Sequence, residues 1–495
     1  MPAKKTEIIF IFLLLFFSFY LRLFPLEASH YWDESVYLQH AEIFSSGRTN
    51  YSELDSRPPF LSFLISLGYI FWHNMYMAQI IVASINSLGV VALYYLIKRI
   101  VNWQAAVIGS LLLSTSPFVA EHSHYILTDI PSLSLLTISI LFFYKALDEN
   151  TGKSQRTDKV TGHTISGLFK IKNPYLFASG FVFGLSILTK FTSLLFFLFF
   201  LAAFRMHKDK CRGYGRHFLL GVFTPLSIYF IFAQIKYGFF LYTFIKAQAI
   251  ISASSPEPFN FYIIHFQEIF GAPVIIGLAL AIVFLAIELS RWIKQNSRKY
   301  AFNDLAIFLF TSVALFIYFS TMAHKEGRYL APIFFAIYTL AAYGLSYPAL
   351  LSSSRRLAVI YTVFVALLIL AANASVLAGH FEKPLVNSAK TDTIIVAEFL
   401  KDEVKDNTPV YSALNYPVLA YYSGKETKAI LPRQDKLECT DESFAEYNIK
   451  KSGYLVFFPS IKTYEQVFVN YYSMQDCKYL HKVKDIAGAV IYKFR

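Results

Sequence analysis

Residues 8–35 read IIFIFLLLFFSFYLRLFPLEASHYWDES, a long apolar run followed by two adjacent carboxylates, Asp33 and Glu34. The apolar part, residues 8–26, is about 19 residues long and therefore long enough to cross a bilayer as a helix. It has no small-residue cleavage site, which favours a retained helix over a removable signal peptide. A charge at the edge of a bilayer is costly to desolvate. The two carboxylates are therefore either a solvated pair in a loop or a pair with a function.

Apolar runs of similar length recur as far as residue 378. Hydrophobic residues make up 55% of the 495 residues and charged residues only 16%, whereas a soluble protein has about 25% charged residues. We predict a polytopic α-helical membrane protein with about eleven spans, and up to about thirteen. The net charge of +12 comes mainly from short loops between spans, so it does not predict nucleic-acid binding.

Basic loops predict the orientation of the spans, because Lys and Arg accumulate on the cytoplasmic side. Lys4 and Lys5 place the N-terminus in the cytoplasm. The apolar stretch 174–204 is about 31 residues long, which is too long for one span and predicts a hairpin of two short helices. Since both loops that flank it are basic, the hairpin tip at Lys190 is predicted to face outside. The shorter apolar segment 58–72 predicts a helix at the membrane interface.

The composition changes from about residue 380 onwards, where a small α/β domain is predicted. We predict a transmembrane domain over residues 1–379, with a first outside loop at 27–60, and an outer α/β domain over residues 380–495. The predicted helices of the outer domain are 394–405 and 417–422, and its predicted strands are 409–413, 453–458 and 487–492. Cys439 and Cys477 lie in this domain and can pair in an oxidising compartment.

The predicted topology places many polar residues on the outer side, at or just beyond helix ends. They are Asp33, Glu34, Asp55, Arg57, Glu121, His122, His124, Asp129, Lys190, His324, Lys325, Glu326 and Arg328. Any one of them alone is expected to be a solvated loop residue. Two features favour a site. Lys190 lies in an otherwise apolar hairpin, where an unpaired ammonium is costly, and residues 324–328 contain three potential cations.

Cations grouped near a membrane surface suit a lipid phosphate, which Arg binds through a fork of N–H donors and Lys as a compact charge. A carboxylate that faces them can act as a general base on an incoming hydroxyl or amine. Together these groups suit displacement at a sugar carbon that is attached to a lipid phosphate. The phosphate is then the leaving group, and the cations stabilise its growing charge.

The sequence resembles the type-C glycosyltransferases of families 39 and 83, and specifically their prokaryotic members. This group contains the dolichyl-phosphate-mannose protein mannosyltransferases and the bacterial aminoarabinose transferase. The resemblance covers the membrane part and extends to the outer domain. It is carried by Asp33-Glu34, Arg57-Pro58-Pro59, Thr128-Asp129, Leu188-Thr189-Lys190 and residues 324–330. No loop is long enough for the lumenal β-trefoil of the eukaryotic enzymes, which predicts a bacterial or archaeal protein.

The resemblance implies a multi-pass enzyme of the cell membrane, with a cytoplasmic N-terminus and an extracytoplasmic C-terminal domain. It implies transfer of a sugar, with inversion, from a dolichyl or undecaprenyl monophosphate to a protein, lipid or glycan acceptor. Asp33 is implied as the base, with Glu34 beside it. The residues implied in binding the donor phosphate or substrate are Arg57, Asp129, Lys190, His324, Lys325, Arg328 and Tyr329.

The resemblance implies no required cofactor. Some members hold a zinc ion, for which the candidate ligands in this chain are Asp55, His122, His124 and Asp129. Two other functional classes stay open. A lipid or solute transporter or flippase also carries buried charges, but it is expected to place them in mid-span and often has repeated halves. A receptor or scaffold would use the outer domain to bind a partner.

Overall fold

The computed structural model describes residues 4–27, 32–47, 56–153, 173–211, 214–252, 257–295, 300–382, 385–387, 390–405, 408–413, 415–430, 436–450, 452–458 and 469–494. The chain forms two compact units. The first, which we call the helical unit, comprises Met1–Phe24, Tyr51–Leu64 and Gln79–Pro384. The second, which we call the mixed unit, comprises Pro25–Asn50, Ile65–Ala78 and Leu385–Arg495.

Helices account for most of the part of the chain before residue 385. They are α1 (Lys4–Leu23), α2 (Trp32–Ser46), α3 (Phe60–Tyr69), α4 (Met75–Ile100), α5 (Trp103–Thr115), α6 (Pro117–His124), α7 (Asp129–Lys153), α8 (Pro174–Thr189), α9 (Phe197–Met206), α10 (Lys208–Cys211), α11 (Gly215–Tyr237), α12 (Tyr242–Ser252), α13 (Phe261–Ile264), α14 (Phe266–Gln295), α15 (Tyr300–Thr321), α16 (Phe334–Leu351), α17 (Arg355–Ala372) and α18 (Ala374–Phe381). Two 3₁₀ helices, Phe191–Phe196 and Gly327–Ile333, precede α9 and α16.

The predicted class, a polytopic helical membrane protein, is confirmed. Within the described ranges, eight helical segments are long and apolar enough to cross a membrane, or nine if α5 and α6, which meet at a 56° bend, form one span. The eight segments are Lys5–Leu23, Met75–Ile100, Asp129–Glu149, Gly215–Tyr237, Phe266–Ser290, Asn303–Thr321, Gly327–Leu351 and Arg355–Ala372. The predicted number of about eleven spans is reached if the bent pair counts as one span and if two shorter apolar helices, one before and one after Lys190, are also counted.

The predicted hairpin is present. Helix α8 ends at Thr189, and Lys190 adopts an extended backbone before the 3₁₀ helix begins. Phe183 of α8 and Phe200 of α9 lie with their ring centroids 4.9 Å apart, so the chain folds back on itself. This contact forms part of a large aromatic core in the helical unit.

Small residues bring α8 and α11 together. A Cβ atom at Gly180 would lie 2.0 Å from the carbonyl oxygen of Phe218, and one at Gly221 would lie 2.2 Å from that of Phe177. Only glycine allows two backbones to approach this closely, and such positions are typical of interfaces between membrane helices. The same helix α8 places Lys190 at its end.

The mixed unit contains a five-stranded sheet in the order β4-β3-β5-β7-β6 and a short parallel pair, β1 with β2. The strands are β1 (Leu26–Glu27), β2 (Val386–Asn387), β3 (Val410–Ser412), β4 (Thr427–Ala429), β5 (Tyr454–Phe457), β6 (Leu480–Ile486) and β7 (Ala489–Phe494), and the helices are α19 (Asp392–Glu403), α20 (Tyr416–Ser423), α21 (Asp441–Glu446) and α22 (Tyr471–Gln475). All five predicted elements are present, whereas β4 and β6 were not predicted. Cys439 and Cys477 form a disulfide.

The segment that was predicted to be the first outside loop contains a helix. Residues 27–60 were expected to be a loop, but Trp32–Ser46 form a helix with Asp33 and Glu34 in its first turn. Val36, Leu38 and Ala41 are buried, so the apolar positions of this segment stabilise a helix by packing. Residues 25–50 and 65–78 group with the C-terminal part of the chain, whereas the predicted division at residue 380 assigned them to the transmembrane domain.

Candidate active site

Lys190 lies at the break between two apolar helices of the helical unit. Its ammonium forms an ion pair with the carboxylate of Asp129, in the first turn of α7. The Lys190 Nζ atom is also 4.9 Å from the centroid of the Tyr329 ring, within the range of a cation–π interaction. The side chain of Lys190 is only 13% exposed and that of Asp129 only 3%. The ammonium in the apolar hairpin is therefore paired, as its desolvation requires.

Glu326 is the centre of a second polar group. One of its carboxylate oxygens lies 2.9 Å from Nε2 of His324 and accepts a hydrogen bond of 3.2 Å from the hydroxyl of Tyr329. The other oxygen accepts a hydrogen bond of 2.5 Å from Nε of Arg328. Since Tyr329 contacts both Lys190 and Glu326, the two groups form one cluster, which we call the cation cluster: Asp129, Lys190, His324, Glu326, Arg328 and Tyr329.

Glu326 stays ionised in this cluster. Burial by itself would raise the pKa of Glu326, but the hydrogen bonds and charges of Arg328 and His324 outweigh burial and lower the pKa to about 2. Sequence reasoning noted Glu326 among the outer polar residues but did not include it in the site. The available signal was its position as the one carboxylate within a run of three basic residues.

Lys325 has a different environment from its neighbours. It is 4% exposed, and its ammonium donates to the carbonyl oxygens of Glu257, at 2.7 Å, and Met322, at 2.5 Å. The backbone N–H of Glu257 in turn donates to the carbonyl oxygen of Ala323 at 2.8 Å. Lys325 thus ties the turn before the cation cluster to the segment before α13. Its predicted contact with a phosphate stays a prediction.

Asp33 and Glu34 lie in the mixed unit, in the first turn of α2. The ring of Trp32 lies edge-on to Tyr416 of α20 at 5.8 Å, and Gln39 donates a hydrogen bond to the carbonyl oxygen of Pro417. Glu34 is buried, whereas Asp33 is half-buried. Asp33 is therefore the more accessible of the two carboxylates. Both lie at a helix N-terminus, which favours a negative charge.

Arg57 is half-buried in the turn that precedes α3, in the helical unit. The cation cluster, as defined above, does not include it. Its predicted role in binding the donor therefore stays a prediction, as do the roles of Asp33 and Glu34.

The candidate zinc ligands do not form a metal site in the described ranges, where no three His, Cys, Asp or Glu side chains come together. Asp55 lies outside those ranges. The ring of His122 stacks on Phe118 at 4.0 Å, and its Nδ1 atom lies 2.9 Å from the carbonyl oxygen of the same residue. Asp129 pairs with Lys190. The described residues therefore contain no such cluster, and the zinc site that the resemblance suggested stays a prediction.

Comparison with known proteins supports the expected resemblance to membrane glycosyltransferases. Residues 56–155 match the model of the dolichyl-phosphate-mannose-protein mannosyltransferase family. No curated protein sequence matches the chain.

The fold is similar to that of several solved structures. ArnT from Cupriavidus metallidurans bound to undecaprenyl phosphate aligns over 99% of this chain and 98% of its own, with a TM-score of 0.63 and 16% identity. The oligosaccharyltransferase of Archaeoglobus fulgidus in the apo form aligns over 93% of this chain and 70% of its own, with a TM-score of 0.61 and 15% identity. The archaeal oligosaccharyltransferase AglB from the same organism, in complex with an inhibitory peptide and a dolichol-phosphate, gives a TM-score of 0.59 at 14% identity over the same fractions. Because the similarity extends over almost the entire chain, this protein is a polytopic membrane protein with a fold similar to that of ArnT and the archaeal oligosaccharyltransferase.

Proposed function

We propose that this protein is a glycosyltransferase that transfers a sugar from a polyprenyl monophosphate to an acceptor. Two of the similar structures contain undecaprenyl phosphate or dolichol-phosphate, and the matching family is named for a dolichyl-phosphate sugar. The observation that carries the proposal is the cation cluster. Lys190 and Arg328 come from separate segments of the helical unit, and Asp129 and Glu326 hold them in place.

The cluster suits a phosphate leaving group. During transfer, the acceptor oxygen or nitrogen forms a bond to the anomeric carbon while the bond from that carbon to the phosphate oxygen breaks. The electron pair of the broken bond goes to the phosphate, where Lys190 and Arg328 stabilise the new charge. Asp33 takes the proton of the acceptor, and attack opposite the leaving group inverts the anomeric centre.

The remaining assignments belong to the same proposal. The enzyme lies in the cell membrane, with a cytoplasmic N-terminus and with residues 380–495 outside. The acceptor is a protein, lipid or glycan. Transfer requires no metal or other cofactor, because cationic side chains supply the charge that the leaving group needs. Nothing in the described residues or the comparisons supports the alternative of a transporter.

Binding of undecaprenyl phosphate to the purified protein in nanodiscs tests the proposal. Lys190→Ala is expected to weaken binding by about tenfold or more, because it removes a charge-assisted contact to the phosphate. Arg205→Ala is the matched control, since Arg205 is an exposed cation at the end of α9. Lack of binding by the wild-type protein, or equal binding by the Lys190 and Arg205 variants, would contradict the proposal.

Turnover tests the base. With a polyprenyl-phosphate-linked sugar and membrane extract as the source of acceptor, Asp33→Asn is expected to abolish transfer while leaving binding of undecaprenyl phosphate intact. The amide cannot accept the acceptor proton. Transfer at the wild-type rate by the Asp33 variant would exclude Asp33 as the base, without bearing on donor binding. Wild-type transfer in the presence of EDTA is expected to be unchanged.

A further inference from the structure

Arg22, in the last turn of α1, is a buried cation of the helical unit. It is 1% exposed. Its Nη1 atom donates to the Oγ and carbonyl oxygens of Ser18, at 2.9 and 3.2 Å, and its Nη2 atom donates to the carbonyl oxygen of Leu113 at 3.3 Å. In the part of the chain that the structure describes, these hydrogen bonds all go to neutral oxygen atoms and none to a carboxylate. Burial of a charge in a membrane helix is energetically costly, so Arg22 is a candidate for a specific role.

The contact with Leu113 has a stereochemical reason. In a continuous helix, the carbonyl oxygen of Leu113 would accept a hydrogen bond from the N–H four residues later. That residue is Pro117, which has no N–H to donate. Helices α5 and α6 meet here at a bend of 56°. Arg22 therefore donates to the carbonyl oxygen from which Pro117 removes the helical donor.

Neighbouring residues at the bend are held as well. The Oγ atom of Ser114 lies 3.2 Å from that of Ser18, and Asn373 donates a hydrogen bond of 3.0 Å to the Oγ1 atom of Thr115. Ser18 and Ser114 are fully buried. The bend is thus fixed by contacts from α1 and from the end of α17, and Arg22 makes the contact to the backbone carbonyl.

Helix α6 connects this bend to the cation cluster. The second residue of α6, Phe118, lies against Gly327, where a Cβ atom would be 2.8 Å from Cε2 of the Phe118 ring. Gly327 lies between Glu326 and Arg328 in the sequence. The ring centroids of Phe118 and Phe334 are 6.0 Å apart. The direction in which α6 leaves the bend therefore determines where Phe118 supports the segment that carries Arg328.

We propose that Arg22 is a positioning residue for the cation cluster. It holds the α5–α6 bend through the carbonyl oxygen of Leu113, and through Phe118 and Gly327 it keeps Arg328 in place. The inference rests on the proposed function, in which Arg328 contacts the donor phosphate. It assigns Arg22 no contact with the donor.

Three substitutions test this role. Arg22→Met removes all donors, whereas Arg22→Lys keeps an ammonium that can still reach a carbonyl oxygen. Arg205→Met is the control for loss of an exposed arginine. Spin labels at Glu121→Cys and Glu268→Cys, two exposed positions on α6 and α14, report the position of α6 without any ligand. Binding of undecaprenyl phosphate reports the consequence for the cation cluster.

Arg22→Met is expected to shift or broaden the distance between the labels and to weaken binding of undecaprenyl phosphate by about tenfold, since small misplacements of binding groups are costly. Arg22→Lys is expected to restore much of both. If Arg22→Met lowers the melting temperature but leaves the label distance and the affinity unchanged, Arg22 is only stabilising and the inference is wrong. If the wild-type protein does not bind undecaprenyl phosphate, the proposed function fails, and the label distance alone decides whether Arg22 holds α6.

The link to Pro117 has its own test. Pro117→Ala supplies an N–H that can donate to the carbonyl oxygen of Leu113. The loss of melting temperature caused by Arg22→Met is therefore expected to be smaller in the Pro117→Ala background than in the wild type. Additive losses in this double-mutant cycle would overturn the link.

Discussion

At the scale of single residues, Glu326 is the carboxylate that holds basic side chains of the cation cluster together. Its carboxylate accepts hydrogen bonds from Arg328 and Tyr329 and lies within hydrogen-bond distance of His324. A run of basic residues indicates a phosphate site in the sequence, but repulsion among the cations would disperse them. Glu326 and Asp129 offset that repulsion, so the basic residues can be held close together before any phosphate binds.

The lowered pKa of Glu326 predicts how the cluster responds to acid. The ordinary pKa of 4.5 falls to about 2 in the folded protein. The charged carboxylate therefore stabilises the folded state above pH 4.5, and this contribution is lost as the pH falls from 4.5 towards 2. Glu326→Gln is expected to lower the melting temperature most above pH 4.5, with a difference from the wild type that narrows below it.

Thermal unfolding in detergent across this pH range measures the effect. Glu446→Gln is a suitable control, because Glu446 is exposed in the mixed unit. A difference for Glu326→Gln that stays constant from pH 6 down to pH 2.5, or grows in acid, would show that the carboxylate is not held ionised by its neighbours.

The two lysines near the cluster show how far residue-level prediction extends. Both Lys190 and Lys325 were predicted to bind the donor, from the same chemistry of an ammonium near a membrane surface. The structure distinguishes them, because Lys190 pairs with a carboxylate and Lys325 with two backbone carbonyl oxygens. Which acceptor an ammonium meets depends on distant segments, so sequence reasoning could not separate the two.

At the scale of elements, the length and character of the apolar segments predicted most helices. The break at Lys190 was predicted because an apolar stretch of about 31 residues exceeds one span. Helix α2 was missed because its polar first turn resembles a loop, and its helical state depends on burial of Val36, Leu38 and Ala41. Strands β4 and β6 were missed because one is short and the other is mostly exposed.

The close approach of α8 and α11 predicts a strong effect of one methyl group. Gly180→Ala would place a Cβ atom 2.0 Å from the carbonyl oxygen of Phe218, so the two helices must separate. We expect a loss of stability of about 1–3 kcal/mol, measured as a lower melting temperature in detergent.

Gly215→Ala is the matched control for this substitution. Gly215 lies at the start of α11, and the atom nearest to an added Cβ is 4.0 Å away. The melting temperature of the Gly215→Ala variant is expected to stay close to that of the wild type. Equal melting temperatures for the two variants would show that α8 and α11 do not pack through Gly180.

At the scale of the whole molecule, the chain orientation predicted from basic loops is open to direct measurement. We expect Lys208→Cys, at the start of α10, to face the cytoplasm and Glu426→Cys, next to β4, to face outside. Both positions are exposed. In intact cells, a membrane-impermeant thiol reagent should label only the second variant, and permeabilised cells should allow labelling of both. The reverse pattern would invert the topology.

The amino-acid sequence alone was sufficient to predict the class of protein, the hairpin at Lys190 and the α/β character of the C-terminal part. It also predicted the residues of the cation cluster, except that it gave Glu326 no role there. The class, the hairpin and the α/β character follow from segment length and hydrophobic pattern, which are local properties, whereas the residues of the cluster were assigned through the resemblance to a family. Tertiary structure decided the pairing of Lys190 with Asp129, 61 positions apart, the burial of Lys325, and the contact of Arg22 with the carbonyl oxygen of Leu113. Each of these depends on which distant segments meet, because a buried charge takes whatever partner the fold brings to it.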